Sequence, residues 1–410
     1  MEFIRTLRDL TPAQRNTVIA SYLGWTLDSF DFFVLVFVLK DVASEFKVDI
    51  ATVSIALGLT LAFRPVGAYF FGQLADKYGR RRILIIDVLL FSFLEVASGF
   101  APGITSFLIL RGLFGIAMGG EWGIGAALTM ESIPAKARGV VSGILQSGYP
   151  MGYLLASVVF GVLFEHIGWR GMFIVGGLPA LLTLFIRRNV PESPTWQAQG
   201  PAKITMLTAL RIHWRKFGYA VLMMAVFSFG THGTQDLYPT MLREERGMSP
   251  GFVGLIAVIY NVGGLCGAMF WGTYSERVGR RRAIMTAMVL AFFIIPFWAF
   301  ATNIAIMATA AFLIQFMVQG SAGVLPVYLN EISPPEVRAT FPGFSYQVGT
   351  LFSSGNANMQ VALAMMLGGS YSASLAIVAG LVTVLLTIVL LFGKETKGTS
   401  FDTPNEGIVH

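Results

Sequence analysis

The chain has 410 residues, of which 55% are hydrophobic and 13% are charged, and its mean hydropathy is +0.67. Soluble domains carry about 25% charged residues, so this chain lacks much of the polar surface that water requires. The composition excludes an ordinary soluble domain and indicates an integral membrane protein.

The charge distribution and the residue types exclude several classes of partner. The net charge is +6, but the basic residues lie in short loops between apolar segments and form no stripe that could follow a phosphate backbone. We therefore expect no nucleic acid partner. Cys266 is the single cysteine, so an intrachain disulfide is excluded. With four histidines and no Gly-x-x-x-x-Gly-Lys motif, we expect neither an enzyme nor a cofactor or metal site.

Twelve apolar segments are long enough to cross a bilayer as helices, since such a helix needs about 20 mainly apolar residues. We call them spans one to twelve. They lie near residues 16–40, 51–73, 83–102, 106–130, 138–164, 170–188, 216–240, 251–273, 283–302, 305–330, 341–367 and 371–393. The N-terminus lacks the small-residue cleavage site of a signal peptide, so we expect span one to be retained.

These spans predict an all-α membrane protein with two six-helix bundles. Residues 1–188 form the first bundle, 189–215 a cytoplasmic linker, and 216–410 the second bundle with a short cytoplasmic tail. Most of the 29 lysines and arginines fall on the cytoplasmic side if both termini are cytoplasmic. The positive-inside rule therefore predicts that orientation.

An internal repeat supports the division into two bundles. Positions 72–82 read GQLADKYGRRR and positions 272–282 read GTYSERVGRRR, an offset of 200 residues. The same offset relates the loops after spans four and ten, which carry Glu131, Pro134, Arg138 and Glu331, Pro334, Arg338. A duplicated six-helix unit with pseudo-two-fold symmetry explains both pairs of loops.

The charged residues of these loops are candidates for gating. The acid at the fifth position of each repeated sequence, Asp76 or Glu276, can accept hydrogen bonds from helix N-terminal amides or pair with a basic residue. We expect these residues to latch the cytoplasmic ends of the two bundles in one state and to release them in another. The candidates are Asp76, Arg80, Glu131, Arg138, Glu276, Arg280, Glu331 and Arg338.

The two loops at 72–82 and 272–282 resemble the signature loop of the major facilitator superfamily, here present in both halves. The resemblance implies twelve helices around a central cavity near the bilayer midplane, lined largely by helices one, four, seven and ten. It also implies alternating access by rocking of the two bundles. Membership of this superfamily leaves the substrate open.

Ionisable residues inside spans are the next signal, because a charge at the bilayer centre costs about 2.5 to 3.5 kcal/mol on insertion scales. Span one carries Trp25, Asp28 and Asp31, with the two acids on neighbouring faces. Two close carboxylates in a low dielectric raise each other's proton affinity, which suits proton coupling. The alternative is an acid paired permanently with a basic residue.

Spans two and four add charges of both signs. Arg64 lies midway along span two, and its planar guanidinium matches a carboxylate. It is either a substrate contact or the permanent partner of Asp28 or Asp31. Arg111, near the start of span four, suits a structural or tuning role. Glu121, within the sequence GGEWG at 119–123, is a further candidate for proton coupling.

Polar side chains also occur inside spans seven, ten and eleven. His232 and Asp236 lie one helical turn apart at the end of span seven and can hold or pass a proton. A solvated pair near a helix end is the alternative. Spans ten and eleven carry candidates to bind a hydroxyl or carboxylate, or to form interhelical hydrogen bonds. They are Gln315, Gln319, Tyr346, Gln347, Thr350, Ser353, Ser354, Asn356 and Asn358.

Span seven resembles the signature of fungal lactate permeases and their bacterial relatives in the sialate:proton symporter group. That signature has the form Asn-x-x-Ser/Thr-His-x-Ser/Thr-Gln-Asp-x-x-x-Thr. The matching residues are Thr231, His232, Thr234, Gln235, Asp236 and Thr240, whereas Ser228 replaces the Asn. Positions 22–33 (YLGWTLDSFDFF), 119–122 (GGEW) and 346–349 (YQVG) resemble the same group.

The resemblance implies a proton-coupled symporter for a small monocarboxylate such as lactate or pyruvate, in the plasma (bacterial inner) membrane. Its partners would be the carboxylate, protons and the lipid bilayer, and we expect it to work as a monomer. The substrate-binding candidates are Trp25, Arg64, Gln235, Gln319, Gln347 and Thr350. The proton-coupling candidates are Asp28, Asp31, Glu121, His232 and Asp236.

Other substrates stay open at this point because Ser228 departs from the signature. The alternatives are sialic acid or another organic anion with a proton, and then a sugar porter or an uncoupled facilitator. The sugar alternative depends on the PESP sequence at 191–194, which resembles sugar porters but lies in the predicted linker.

Overall fold

The structure is a computed structural model that describes residues 2–202 and 204–401. All regular structure in these ranges is helical, and no strand occurs there. The predicted tail beyond residue 401 lies outside the described residues. The helices before the second repeat are α1 (Glu2–Arg8), α2 (Pro12–Phe46), α3 (Ile50–Tyr78), α4 (Arg80–Gly99), α5 (Ile104–Ser132), α6 (Arg138–Val175), α7 (Pro179–Asn189), α8 (Pro194–Gln199) and α9 (Met206–Ile212).

The second repeat contains nine further helices in the described residues. They are α10 (Trp214–Gln235), α11 (Tyr238–Glu244), α12 (Pro250–Val278), α13 (Arg280–Phe300), α14 (Ile304–Ser321), α15 (Leu325–Ile332), α16 (Thr340–Phe352), α17 (Asn356–Met366) and α18 (Tyr371–Leu391). We use "first half" for α2 to α7 and "second half" for α10 to α18. The linker helices α8 and α9 lie between the halves in sequence.

Eight helical segments in the described chain are long and apolar enough to cross a membrane. One of them, Ala135–Asn189, contains both span five and span six, which are separated by a bend at Gly168, where φ is 61°. The other crossings of the twelve-helix fold fail a simple length and hydropathy test for two reasons. α4 and α10 (22 residues) carry charged or polar residues within their length, and span eleven is divided into two short helices.

The breaks in the spans have local causes. Span seven stops at Gln235, and Pro239 occupies the first turn of α11, where a missing N–H is tolerated. Span ten is divided by a 3₁₀ turn at Ala322–Val324, with Pro326 in the first turn of α15. Span eleven contains another 3₁₀ turn, Ser353–Gly355. Spans seven, ten and eleven are therefore interrupted helices.

The two halves pack on each other through symmetry-related helices, α3 against α16 and α12 against α6. Backbones meet closely at glycines: a Cβ atom placed on Gly123 would lie 2.7 Å from the Cα of Gly343, and one on Gly272 would lie 2.8 Å from the Cα of Gly143. These contacts lie towards the end that carries Arg80 and the symmetry-related Arg280. We call this the loop end.

Two reciprocal caps close the loop end. Asp76 of the first half accepts hydrogen bonds from the amides of Ala339 (2.9 Å) and Thr340 (3.0 Å), where α16 begins. Glu276 of the second half accepts a hydrogen bond from the amide of Gly139, in the first turn of α6. Each acid thus meets the partially positive N-terminus of a helix in the opposite half.

Buried arginines hold both caps in place. Arg80 contacts Asp76 at 3.1 Å, and its Nε and Nη2 donate to Glu131, each at 3.1 Å. Arg280 makes the same contacts in the second half, with Glu276 at 2.9 Å and with both oxygens of Glu331 at 3.1 Å. The two basic clusters therefore lie at one end of the molecule.

Residues 396–401, which we call the tail strap, lie across the loop end. The Phe401 ring is 1% exposed and lies between two guanidinium groups, with its centroid 3.5 Å from Cζ of Arg138 and 4.1 Å from Cζ of Arg338. Arg138 also donates to the carbonyl of Thr399 at 2.7 Å, and Gln199 of α8 donates to the carbonyl of Phe401 at 3.1 Å. All eight gating candidates thus lie at the loop end, although their gating role stays a prediction.

The buried ion pairs give a first testable prediction. Arg280→Gln leaves Glu276 and Glu331 without their cation, and breaking a buried pair costs about 3 to 5 kcal/mol. The exposed neighbour Arg282 provides the control, because surface substitutions stay within about 0.5 kcal/mol. Thermal unfolding of the purified protein in detergent should show a large loss for Arg280→Gln and almost none for Arg282→Gln. Equal losses would contradict the structural role of the pair.

Candidate functional site

Four aromatic residues meet between the halves and form what we call the aromatic cage. Trp25, Trp122 and Tyr149 come from the first half, and Tyr346 comes from the second. The Trp122 and Tyr346 rings lie 4.3 Å apart, and the Trp25 ring lies 5.7 Å from Tyr149 and 6.4 Å from Tyr346. The Nε1 group of Trp25 is buried with no hydrogen-bond partner in the described chain. The cage therefore offers flat apolar surfaces and one unused donor.

Arg64 lies beside the cage, 6% exposed, and its charge acts on the hydroxyl groups of Tyr149 and Tyr346. Its Nη2 lies 3.8 Å from Oδ2 of Asp28 and 2.7 Å from the sulfur of Met118. The distance to Asp28 is too long for a hydrogen bond. Because Nε of Arg64 also lacks a hydrogen-bond partner among the described residues, the guanidinium retains unused donor capacity.

Glu121 is the second acid near Arg64. It is 1% exposed and interacts electrostatically with both Asp28 and Arg64. Its Oε1 packs directly against Gly24 of α2, where any larger residue would displace the carboxylate. Its Oε2 has no hydrogen-bond partner in the described chain. Glycine at position 24 thus provides the space that this carboxylate occupies.

Asp31 lies in a different environment from Asp28. It is fully buried near the Glu95–Arg111 pair, in which Arg111 donates to Glu95 at 2.7 Å. Both carboxylate oxygens of Asp31 lack hydrogen-bond partners in the described chain. The sequence left open which acid pairs with Arg64, and the structure selects Asp28. Arg111 is 1% exposed and pairs within the first half.

Asp87 and Glu95 are two buried acids that the sequence analysis did not name. Both lie on α4 and are 0% exposed. The rule that singled out Asp28 and Arg64, an ionisable residue inside an apolar span, applies equally to these positions. That signal was available in span three, but no motif drew attention to it.

The polar candidates of the second half divide into two groups. Gln235 donates to Gln315 at 3.0 Å, and Thr350 lies 3.2 Å from the hydroxyl of Ser228, so both take part in contacts between helices. Gln347 is 2% exposed, and its Nε2 lacks a hydrogen-bond partner among the described residues. Gln319 packs against Gly264 of α12. Of these four, Gln347 retains a buried donor for a ligand.

His232 and Asp236 form the expected pair at the end of α10. Nδ1 of His232 lies 3.3 Å from Oδ1 of Asp236, and the two side chains are 36% and 33% exposed. Their exposure fits a pair that exchanges protons with water. Within the described residues, no group of three or more His, Cys, Asp and Glu side chains is arranged to hold a metal ion.

The position of Arg64 depends on a close approach of α5 to α3. A Cβ atom on Gly119 would collide with the carbonyl oxygen of Arg64, whereas one on Gly112 would meet the Phe63 ring at an ordinary 3.6 Å. Gly119→Ala should therefore destabilise the protein by about 1 to 3 kcal/mol through overpacking. Gly112→Ala, on the same helix, should be close to neutral. Thermal unfolding of both variants tests this, and an unaffected Gly119→Ala would disprove the tight approach.

Comparisons with known proteins agree with this fold. The sequence model of the family described as Major Facilitator Superfamily matches residues 21–238 and again 220–409. A solved structure of the proton:xylose symporter XylE superposes with a TM-score of 0.78 at 19% identity, covering 95% of this chain and 98% of that one.

Curated relatives cover most of the chain. A probable 4-methylmuconolactone transporter from Cupriavidus pinatubonensis is 30% identical over 98% of this chain and 95% of its own. A carboxylic acid transporter protein homolog from Saccharomyces cerevisiae is 30% identical over 88% of this chain, which spans 63% of that relative. The sialic acid transporter NanX from Escherichia coli is 27% identical over 95% of this chain and 96% of its own. The chain therefore belongs to the major facilitator superfamily, and it is an integral membrane transporter and not an enzyme.

Proposed function

We propose that this transporter is a proton-coupled symporter for a small monocarboxylate of the lactate or pyruvate type. The observation that carries the proposal is the buried guanidinium of Arg64 beside the aromatic cage. Its only carboxylate contact among the described residues is a loose one, 3.8 Å from Asp28. A guanidinium stays charged in such a place and binds a carboxylate with two parallel hydrogen bonds. An organic anion is the ligand that this arrangement fits.

Substrate and proton binding are linked through Asp28. An arriving carboxylate competes with Asp28 for Arg64, and the released acid then takes up a proton because its counter-charge is occupied. Glu121 also interacts electrostatically with the guanidinium of Arg64. Asp236, through His232, is the candidate that exchanges protons with water. The anion and the proton therefore bind cooperatively.

Energetics favour coupling to a proton. Moving a monovalent anion inward against a negative potential costs about 2.3 kcal/mol per 100 mV, and one accompanying proton makes the step electroneutral. The basic loops support an orientation with both termini cytoplasmic, and the family resemblance supports the plasma (bacterial inner) membrane. In that orientation the structure is closed towards the cytoplasm by the Asp76 and Glu276 caps. Alternating access would open both caps together, within a single monomer.

The relatives support an organic acid and leave its identity to experiment. Their names refer to 4-methylmuconolactone, carboxylic acid and sialic acid. The aromatic cage favours a second candidate class, unsaturated or ring-containing carboxylates, because flat ligands stack on such rings. A sialic acid symporter remains the alternative from the sequence. A sugar porter finds support only in the PESP sequence at 191–194, where Glu192 accepts a hydrogen bond from the amide of Arg80 at the loop end. An uncoupled facilitator would have no use for the buried acids.

Uptake in proteoliposomes tests the coupling. Uptake of labelled lactate should rise as the external pH falls and should collapse when a protonophore is added, because the proton gradient drives it. Competition by pyruvate, acetate, succinate, sialic acid and 4-methylmuconolactone then ranks the substrate classes. Uptake that is independent of pH and follows sodium would refute the proton coupling.

Arg64 variants test carboxylate binding. Arg64→Lys keeps the charge but loses the planar fork, so uptake should fall strongly, by roughly tenfold or more. Arg82→Lys, at an exposed position of the loop end, is the matched control and should transport normally. If Arg64→Ala transports lactate with an ordinary apparent affinity, the arginine is structural and the proposed binding mode is wrong.

Acid variants separate proton coupling from binding. Asp28→Asn and Asp236→Asn should each flatten the pH dependence of uptake more than they weaken substrate binding, because an amide keeps the shape but carries no proton. The measurements are the pH profile of uptake and the half-saturating substrate concentration. Wild-type pH profiles in both variants would exclude these residues from the proton path.

A further inference from the structure

An open cavity of about 570 Å³ lies at the loop end of the first half, which we call the basic cavity. It is bounded by the ends of α3 and α7, the start of α4 and the linker helix α8. Its volume falls in the range of about 300 to 1,000 Å³ that is usual for small-molecule sites. Four of its nine lining residues are basic, and one is acidic. The basic residues are Lys77, Arg81, Arg82 and Arg187, and the acid is Glu192.

The single acid is occupied by backbone amides. The carboxylate of Glu192 accepts hydrogen bonds from the amides of Arg80 at 2.9 Å and Arg81 at 3.1 Å, at the start of α4, and from that of Ser193 at 2.9 Å. In the described chain, none of the four basic side chains of the cavity lies within 4 Å of a carboxylate oxygen. The basic cavity therefore keeps a positive charge that its own walls do not pair.

Arg81 is held in place at the cavity without using all its donors. Its Nη2 group donates to the carbonyl of Arg187, which ties the start of α4 to the end of α7. Its Nη1 group makes no hydrogen bond within the described residues, so two N–H groups stay available. A positioned guanidinium with free donors suits a phosphate or a carboxylate.

The basic cavity lies far from the carboxylate-binding site. Lys77 follows Arg64 by 13 residues along α3, which is about 20 Å of helix. An anion bound in the cavity is thus a different ligand from the one bound at Arg64.

Apolar surface continues from the cavity along the membrane-crossing helices. Leu74 of α3, Ile86 and Leu89 of α4 and Leu184 of α7 are each at least 40% exposed. Each lies within two helical turns of a basic residue of the cavity on the same helix. Ile85 of α4 lines the cavity itself. A ligand with a charged head and apolar chains would therefore find surfaces for both parts.

The second half places a side chain of its own at the equivalent position. Glu192 and Glu395 cap α4 and α13 in the same way. Two residues after Glu395, Lys397 donates from Nζ to the carbonyl of Arg277 at 2.9 Å. The residue at the same spacing after Glu192 is Pro194, which cannot make this contact. The basic cavity is thus a feature of the first half that the repeat does not explain.

We propose that the basic cavity binds the phosphate headgroup of an anionic phospholipid. The phosphate lies among the charged groups of Lys77, Arg81 and Arg187, and the acyl chains lie on the exposed apolar faces of α3, α4 and α7. Basic pockets between membrane-crossing helices bind lipid headgroups by this combination of charge and apolar contact. The inference concerns a second site and does not depend on which solute is transported.

Lipid titration of the purified protein in detergent tests the chemistry. A ligand that binds only the folded protein raises its unfolding temperature in a saturable way. Dioctanoyl phosphatidylglycerol should produce this rise. Dioctanoyl phosphatidylcholine has the same chains but no net charge, and glycerol 1-phosphate has the phosphate but no chains. Each should need at least about tenfold higher concentrations for the same rise, because each lacks one of the two contacts.

Two double variants with equal loss of charge locate the site. Lys77→Gln with Arg187→Gln removes two exposed charges from the cavity and should raise the half-saturating concentration of phosphatidylglycerol by about tenfold or more. Lys136→Gln with Arg282→Gln removes two exposed charges that do not line the cavity, and should stay within about twofold of wild type. Arg187→Gln alone should give an intermediate value, and it provides the measurement if the first double variant fails to fold.

Four outcomes would overturn the proposal. The first is a wild-type protein whose unfolding temperature does not respond to phosphatidylglycerol. The second is an equal response of the two double variants, which would place the lipid elsewhere. Equal binding of phosphatidylcholine would exclude recognition of the anionic charge, and equal binding of glycerol 1-phosphate would assign the cavity to a soluble phosphate ester. Because no transport is measured, each of these results is distinct from a failure of the proposed symport.

Discussion

Every charged group buried inside a membrane-spanning bundle needs a counter-charge, a hydrogen bond or a proton, and this requirement organises the whole protein. At the loop end it is satisfied by permanent pairs, such as Arg80 with Glu131 at two bonds of 3.1 Å each. In the interior of the first half acids outnumber arginines, so ion pairs satisfy it only in part. The first arrangement gives stability, and the second gives a protein whose charge state can change.

The two arrangements lie at different depths along the helices. Glycines set how closely the helices approach at each depth. At the loop end Gly123 meets Gly343, and backbone packs on backbone across the two halves. Near Arg64, where Gly119 also brings α5 close to α3, Gly24 and Gly120 leave the room for Glu121 and Asp87. Small residues thus produce a tight contact in one place and a polar interior in the other.

Much of the fold could be predicted from sequence, because apolar runs and the repeated loops are local signals. The choice of Asp28 over Asp31 as the partner of Arg64 could not, since two acids three residues apart point to different helices and only packing decides between them. Three residues of the aromatic cage carry sequence signals, because Trp25 and Tyr346 are candidate contacts and Trp122 lies in the GGEW sequence. Tyr149 is one aromatic residue among many. Glu192 and Glu395, which cap α4 and α13 by accepting from the amides of Arg80 and Arg280, carried no recognised role.

The tail strap joins the end of the described chain to both halves at once. Phe401 lies between Arg138 of the first half and Arg338 of the second, so the two guanidinium groups cannot separate while both keep the ring. Opening the loop end must therefore release the strap from at least one side and expose its backbone. A protease with access to the loop end would then cut the strap in proportion to the time spent open. The rate of this cleavage would report on the transport cycle.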